Sequence, residues 1–177
     1  WELCDKYHLP RMVFVSGMDD DNASFREVVN ELQELYGQVI APFHMPIREN
    51  ENFVGYVNVI SMTANRWDDK GQVDEVEVPE YSIANLNLYR DALMESVAEI
   101  SEEFMDRYFN GDEFSESEIR SALKSNVIDG SIVPVTMGSS ILAQGIYTLL
   151  DDIVKYLPSP LARECVGVNL KNNEVFE

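Results

Sequence analysis

The stretch Arg11–Asp19, read RMVFVSGMD, constrains the fold more than any other part of this chain. Met12, Val13, Phe14 and Val15 are four apolar residues in a row, the pattern of a strand covered on both faces. The strand is expected over Arg11–Ser16. A polar turn follows, and a helix is predicted over Phe25–Tyr36, with Phe25, Val28, Val29, Leu32 and Leu35 on one face and Gly37 as its stop. A buried strand that ends in a polar loop and feeds a helix is one repeat of an open, doubly wound α/β sheet. Such sheets take their ligands outside the carboxyl ends of their strands. The loop behind Val15 is therefore the first candidate site.

Beyond Gly37 the pattern changes. Val39–Ile47 is apolar and interrupted by prolines, as an edge strand would be. Phe53–Met62 is β-branched and reads as a strand; Trp67–Gly71 is a turn, and Gln72–Val78 alternates as the return strand. Three helices are expected next, over Ile83–Ala98, Glu102–Phe109 and Glu116–Asn126. Ser101 caps the second, and Ser115 with Glu118 has the capping-box spacing for the third. Residues 38–130 thus read as a body of hairpin and helices with its own apolar set. The doubly wound pattern resumes with a strand over Ile132–Met137, the loop Gly138-Ser139-Ser140 and a helix over Ile146–Leu157, with Ile146, Leu149, Leu150 and Ile153 facing inward. Pro158-Ser159-Pro160 stops that helix, and Cys165–Leu170 and Glu174–Phe176 read as strands of a further domain.

Composition excludes several functions. With 32 acids against 13 Lys and Arg, the formal charge is −19, so direct, non-specific nucleic-acid binding by this chain is not expected. No apolar run is long enough to span a membrane. Cys4 and Cys165 are expected as free thiols in a reducing, cytoplasmic setting. His8 and His44 stand at no ligand spacing, so no metal site is expected. The run Asp19–Asn22 lacks the alternating oxygens, glycine turn and distant glutamate of a calcium loop. It reads as acids favouring a helix N-terminus. Phe104, Tyr108 and Phe109 have the spacing of core residues. The absence of an initial Met and the final strand-like residues suggest a piece of a longer protein.

Four words carry a resemblance that covers nearly the whole chain. Phe14–Phe25, FVSGMDDDNASF, resembles FVNKMDRxGADF of bacterial elongation factor G; Met45–Gly55, MPIRENENFVG, resembles its LPIGxEExFxG. Glu103–Ile119, EFMDRYFNGDEFSESEI, is similar to ELMxKYxxGExLTxEEI. Pro134–Pro160, PVTMGSSILAQGIYTLLDDIVKYLPSP, looks like PVxxGSAxxNxGVQxLLDAVVDYLPSP. Order and spacing agree without a large gap.

The resemblance implies part of a doubly wound, P-loop-type G domain with an inserted α+β subdomain. Residues 1–37 and 131–160 would be G-domain core, 38–130 the insert, and 161–177 the start of a β-barrel domain. It further implies a translational GTPase that binds GTP or GDP, acts on the ribosome in translocation, and meets the ribosomal stalk protein through residues 38–130. Asp19 would accept two hydrogen bonds from guanine, and the backbone of Gly138, Ser139 and Ser140 would approach the guanine oxygen. On the residues alone, Asp19 reads first as an acid opening a loop and favouring a nearby helix N-terminus, and 138–140 reads equally as an ordinary turn with a serine cap. Ser16 and Gly17 replace the family's base-loop Asn and Lys; a hydroxyl makes one of the Asn's bonds, and glycine offers the base no surface. That departure points to a divergent paralogue with relaxed base selection. The phosphate loop GxxxxGK(S/T) and the magnesium-positioning Asp-x-x-Gly precede this stretch in the family. No catalytic residue is therefore expected here, and magnesium would be held upstream. The rival expectation is a ribosome-associated binding module with degraded nucleotide selectivity and no GTPase activity.

Overall fold

The computed structural model describes residues 1–50, 52–68 and 73–162, and the backbone of 167–168 and 175–176. Its first helix, α1 (Glu2–Lys6), is held by Trp1, whose ring stacks on Tyr36 at 3.7 Å and meets the Arg11 guanidinium at 4.2 Å. Next come β1 (Val13–Val15), α2 (Phe25–Tyr36) and β2 (Ile40–Pro42), and much later β7 (Val133–Met137). β7 is central in a parallel sheet of order β1–β7–β2, with Val13 opposite Val135 and Ile40 opposite Val133. All five β7 residues are buried, as a strand covered on both faces requires.

Between β2 and β7 the chain builds an antiparallel meander. It comprises β3 (His44–Glu49), β4 (Asn52–Asn58), β5 (Thr63–Trp67) and β6 (Val73–Val76). Helices α3 (Glu80–Ala98), α4 (Glu102–Asn110) and α5 (Glu116–Asp129) follow, and α6 (Ile146–Tyr156) comes after β7. β8 (Gly167–Val168) pairs with β9 (Val175–Phe176) in antiparallel fashion. The α/β fold class with a parallel sheet stands as the sequence indicates. The expected caps stand too: Ser101 accepts from the third helical N–H of α4, and Ser115 with Glu118 forms a full capping box on α5. Ser24 likewise accepts from the third helical N–H of α2.

Five expectations need correction. Val39–Ile47 is not one edge strand, because Ile40–Pro42 joins the parallel sheet and only His44–Glu49 enters the meander. Phe53–Met62 is not one strand. The Asn58 side chain accepts from the N–H groups of Ile60 and Ser61 at 2.9 and 3.0 Å, which closes a turn and starts β5 at Thr63. The apolar set of 38–130 is not separate: Phe43, fully buried between the sheets, donates its N–H to Val135 O and accepts from Val59 N–H, and its ring meets Tyr156 edge-on at 5.0 Å. One core cluster therefore contains Ala41, Ile132 and Tyr156 together with Val57, Leu93 and Leu123. On α6, Asp152 and Tyr156 are the buried residues, while Leu150 and Ile153 face solvent. Seating Tyr156 against Phe43 turns the helix by that register. Phe109, finally, is 76% exposed, whereas Phe104 stacks on Phe114.

Cys4 is a free thiol, and Cys165 lies outside the described residues. The hairpin turn expected at Trp67–Gly71 also runs beyond the described residues after Asp68. Among the described residues no helix is long and apolar enough to cross a membrane.

Candidate functional site

Two loops are joined at the carboxyl ends of β1 and β7. The Gly138 N–H donates to Val15 O at 2.9 Å, and the Met18 N–H donates to Gly138 O at 3.1 Å. Met18 sinks its side chain to 1% exposure and so anchors the residue beside it. Gly17 turns the chain with φ +77°, a conformation that side chains disfavour, and an added Cβ there would meet nothing within 4 Å. Ser16 and Gly17 are both exposed. The Asp20 N–H donates to Gly17 O, while the Asp20 carboxylate accepts from the Asn22 N–H at 2.8 Å. Asp20 thus closes the turn that leads into α2. Among the described residues no group of three His, Cys, Asp or Glu is placed to hold a metal ion.

Asp19 differs from its neighbours. Its Oδ1 is buried and has no hydrogen-bond partner among the described residues. Leaving a buried acceptor unsatisfied costs about 1–3 kcal/mol, more for a charged one. An oxygen in that state is suited to a ligand that brings N–H donors.

The second loop is narrowly built. A Cβ on Gly138 would lie 2.3 Å from Gln144 O and 2.8 Å from Phe14 Cζ, so only glycine fits. Ser139 is fully buried; its N–H donates to Gln144 O at 2.9 Å, and its Oγ accepts from the Leu142 N–H at 3.0 Å. The N–H groups of Gly138 and Ser139 are therefore engaged inside the protein. Only Ser140, exposed and with its N–H unpartnered among the described residues, has a backbone donor to offer. Of three expected backbone contacts, Gly138 and Ser139 shape the loop and Ser140 can make one. Together the loops present a carboxylate oxygen that needs donors and an N–H that needs an acceptor.

Arg48, at the end of β3, was not among the residues the sequence singled out. One of its guanidinium nitrogens, Nη2, donates to Met18 O at 2.8 Å and to Asp20 O at 3.1 Å, the carbonyls on either side of Asp19. The available signal was MPIR, where the resembling word has LPIG.

A second polar feature joins β3 to α6. His44 Nδ1 and Asp152 Oδ2 are 3.3 Å apart and buried, without hydrogen-bond alignment. Burial, helped by nearby Lys155, pushes His44 down to about 3. Burial pushes Asp152 up to about 7 against the opposing pull of Lys155. At neutral pH the imidazole is therefore uncharged, and the contact is not a fully ionised pair.

Residues 1–159 match the elongation factor Tu GTP binding domain. The chain belongs to this family. It is 38% identical to elongation factor G of Neorickettsia sennetsu over 179 aligned positions, covering 99% of this chain and 26% of that protein. A crystal structure from Thermus thermophilus, described as that of ttk003000868, superposes with a TM-score of 0.82 at 28% identity, covering 92% of this chain and 24% of the other. The chain thus spans about a quarter of the length of each of these relatives. The resemblance to elongation factor G is shown, and this is a GTP-binding domain sequence of the translational GTPase family.

Proposed function

We propose that this chain is the base-reading part of the GTP-binding domain in a longer elongation-factor-G-like protein, one that binds GTP and GDP and acts on the ribosome in translocation. The buried, unpartnered Oδ1 of Asp19 at the joined ends of β1 and β7 carries the reading. Guanine offers a ring N–H and an exocyclic amine to such a carboxylate, and adenine does not. Ser140 donates its N–H to the guanine oxygen, and Ser16 contributes a hydroxyl beside it. Gly17, Gly138 and Ser139 hold the loops in shape. Phosphates and magnesium are bound by residues upstream of this chain, where they supply the chemistry of phosphoryl transfer. The fragment itself hydrolyses no GTP, and the longer protein works in the cytoplasm.

The division of the chain follows the same reading. Residues 1–37 and 131–160 belong to the G-domain core, extended by Ile40–Pro42, which pairs in its sheet. The insert runs from there to residue 130, and 161–177 opens the following β-barrel domain. The insert meets the ribosomal stalk protein. The facing sides of α3 and α5 are closed on each other, with Asn126 Nδ2 donating to Ser96 O and Leu93 and Leu123 in one core cluster. A partner groove between the helices expected over Ile83–Ala98 and Glu116–Asn126 is thereby closed, and we propose instead the cleft between α4 and α5, lined by Ile100, Phe104, Ser121 and Ala122.

Ser16 and Gly17, in place of Asn and Lys, favour a second reading: a ribosome-associated module whose nucleotide selectivity has decayed. Affinities of the full-length parent for GTP, ATP and XTP, measured by calorimetry, separate the two. A clear preference for GTP supports the GTPase. Equal affinity for all three, or no binding, supports the module.

A further inference from the structure

We propose that Arg48 is a positioning residue that holds Asp19 in its base-reading conformation, and so ties base selection to the antiparallel meander. The inference rests on the base-site reading above. Three observations converge on it. First, Arg48 Nη2 donates to Met18 O and Asp20 O, the two carbonyls that flank Asp19. A single cation thereby holds the peptide plane before Asp19 and the one after Asp20, while the Asp20 N–H, donating to Gly17 O, holds the plane between them; charge-assisted bonds are the stronger kind. Second, the β3–β4 register slips just there. Ile47 pairs with Gly55 but Arg48 pairs with Phe53, which leaves Val54 as the extra residue of a bulge. Bulges redirect side chains. Third, the backbone of Arg48 is held from the start of α3: its N–H donates to the Tyr81 hydroxyl, and that hydroxyl donates to Arg48 O, both at 3.1 Å.

The sequence supplies a reason for such a brace. Where the resembling word has Asn and Lys this chain has Ser16 and Gly17, and where it has Gly this chain has Arg48. Side-chain support is lost on one side of the loop and present on the other.

The experiment uses the full-length parent and compares GDP with IDP, which lacks the exocyclic amine that Asp19 would accept. Arg48→Met keeps the stem and removes the donors. We expect it to weaken GDP about five- to tenfold and IDP little, so that the GDP-over-IDP ratio falls, with Arg48→Lys restoring most of it. Tyr81→Phe, which frees the Arg48 backbone, should shift the ratio the same way by a smaller factor, and it serves if Arg48→Met does not fold. In this 177-residue chain without nucleotide, Arg48→Met should speed hydrogen exchange at the Asp20, Asn22 and Ala23 amides. If GDP and IDP weaken equally, or the ratio and the exchange stay as in the parent, Arg48 does not position Asp19. Asp19→Asn is the control for the underlying reading. If it shifts preference toward XDP while Arg48→Met leaves the GDP-over-IDP ratio unchanged, the Arg48 inference alone fails. If Asp19→Asn causes no shift, the base site fails and takes the Arg48 inference with it.

Discussion

Asp152→Asn should stabilise the fold, and the gain should grow with pH. Asp152 is 4% exposed, and burial pushes its carboxyl up to about 7. An unfolded Asp titrates near ~3.9. The folded state therefore holds this proton more tightly than the unfolded chain. The group's contribution is fully present below about pH 4 and is lost as pH rises through about 7. Raising the carboxyl from its unfolded value to about 7 corresponds to ~4 kcal/mol, and relaxation around the carboxylate makes about 2–4 kcal/mol the expected scale over the whole range. His44 runs the other way. Its value is lowered to about 3, so its contribution is present above about 6.5 and is lost as pH falls toward 3. Between about pH 4 and 6.5 the two slopes oppose each other, and the parent chain alone would show little. The difference between Asp152→Asn and the parent isolates the carboxylate, because His44 is common to both. Urea unfolding at pH 5, 6.5 and 8 reads it: part of the gain is already present at pH 5, and the variant should draw ahead by a further roughly 1–3 kcal/mol between pH 5 and 8. A variant less stable than the parent at pH 8 would mean that the 3.3 Å contact is a charged pair, and the argument from burial would be refuted.

Three further outcomes are expected. This chain should release no phosphate from GTP, and calorimetry with millimolar GDP should show no micromolar binding, since the phosphate loop of the family is not among its motifs; a micromolar constant would mean that the base loops carry most of the binding energy. In the parent, Ser16→Asn with Gly17→Lys should tighten GTP and widen its margin over ATP. The φ of +77° at Gly17 sets about 1–2 kcal/mol against that gain, so a shift near tenfold rather than a hundredfold is expected, and no shift would place another group at the base. Titrating the isotopically labelled chain with the C-terminal domain of the stalk protein should move resonances on α4 and α5; shifts confined to Ser16–Asn22, or none at millimolar partner, would leave the insert without that role.

What could be read from the sequence was what depends on local chemistry. The bounds of α2 follow from Ser24 and Gly37, and the start of α5 from the Ser115–Glu118 pair. The β1 loop was legible because four apolar residues end abruptly in polar ones. What failed depends on contacts far apart in the chain. Ile40–Pro42 is a strand of the parallel sheet because of Val133–Val135, more than ninety residues away, and its single proline says only that it lies at an edge. The Asn58 turn hides inside a β-branched run, because one side-chain amide outweighs the propensity of Val59 and Ile60. The inward face of α6 follows from which ring meets Phe43, and helical periodicity cannot choose between two apolar stripes. At the site, Asp19 and the Gly138–Ser140 loop were found by motif. Arg48 was passed over because its partners are carbonyls thirty residues away, and the engagement of the Ser139 N–H depends on a bridge to Gln144.

The central claim, that the Asp19 carboxylate reads the base, is tested most directly by Asp19→Asn in the full-length parent with GDP and XDP. An amide offers xanthine's extra oxygen the donor it needs and withdraws the acceptor that guanine needs. The account expects GDP to weaken and XDP to tighten, with the GDP-over-XDP ratio falling at least tenfold, the scale of about one good base contact. A ratio unchanged from the parent would contradict it and remove Asp19 from the site.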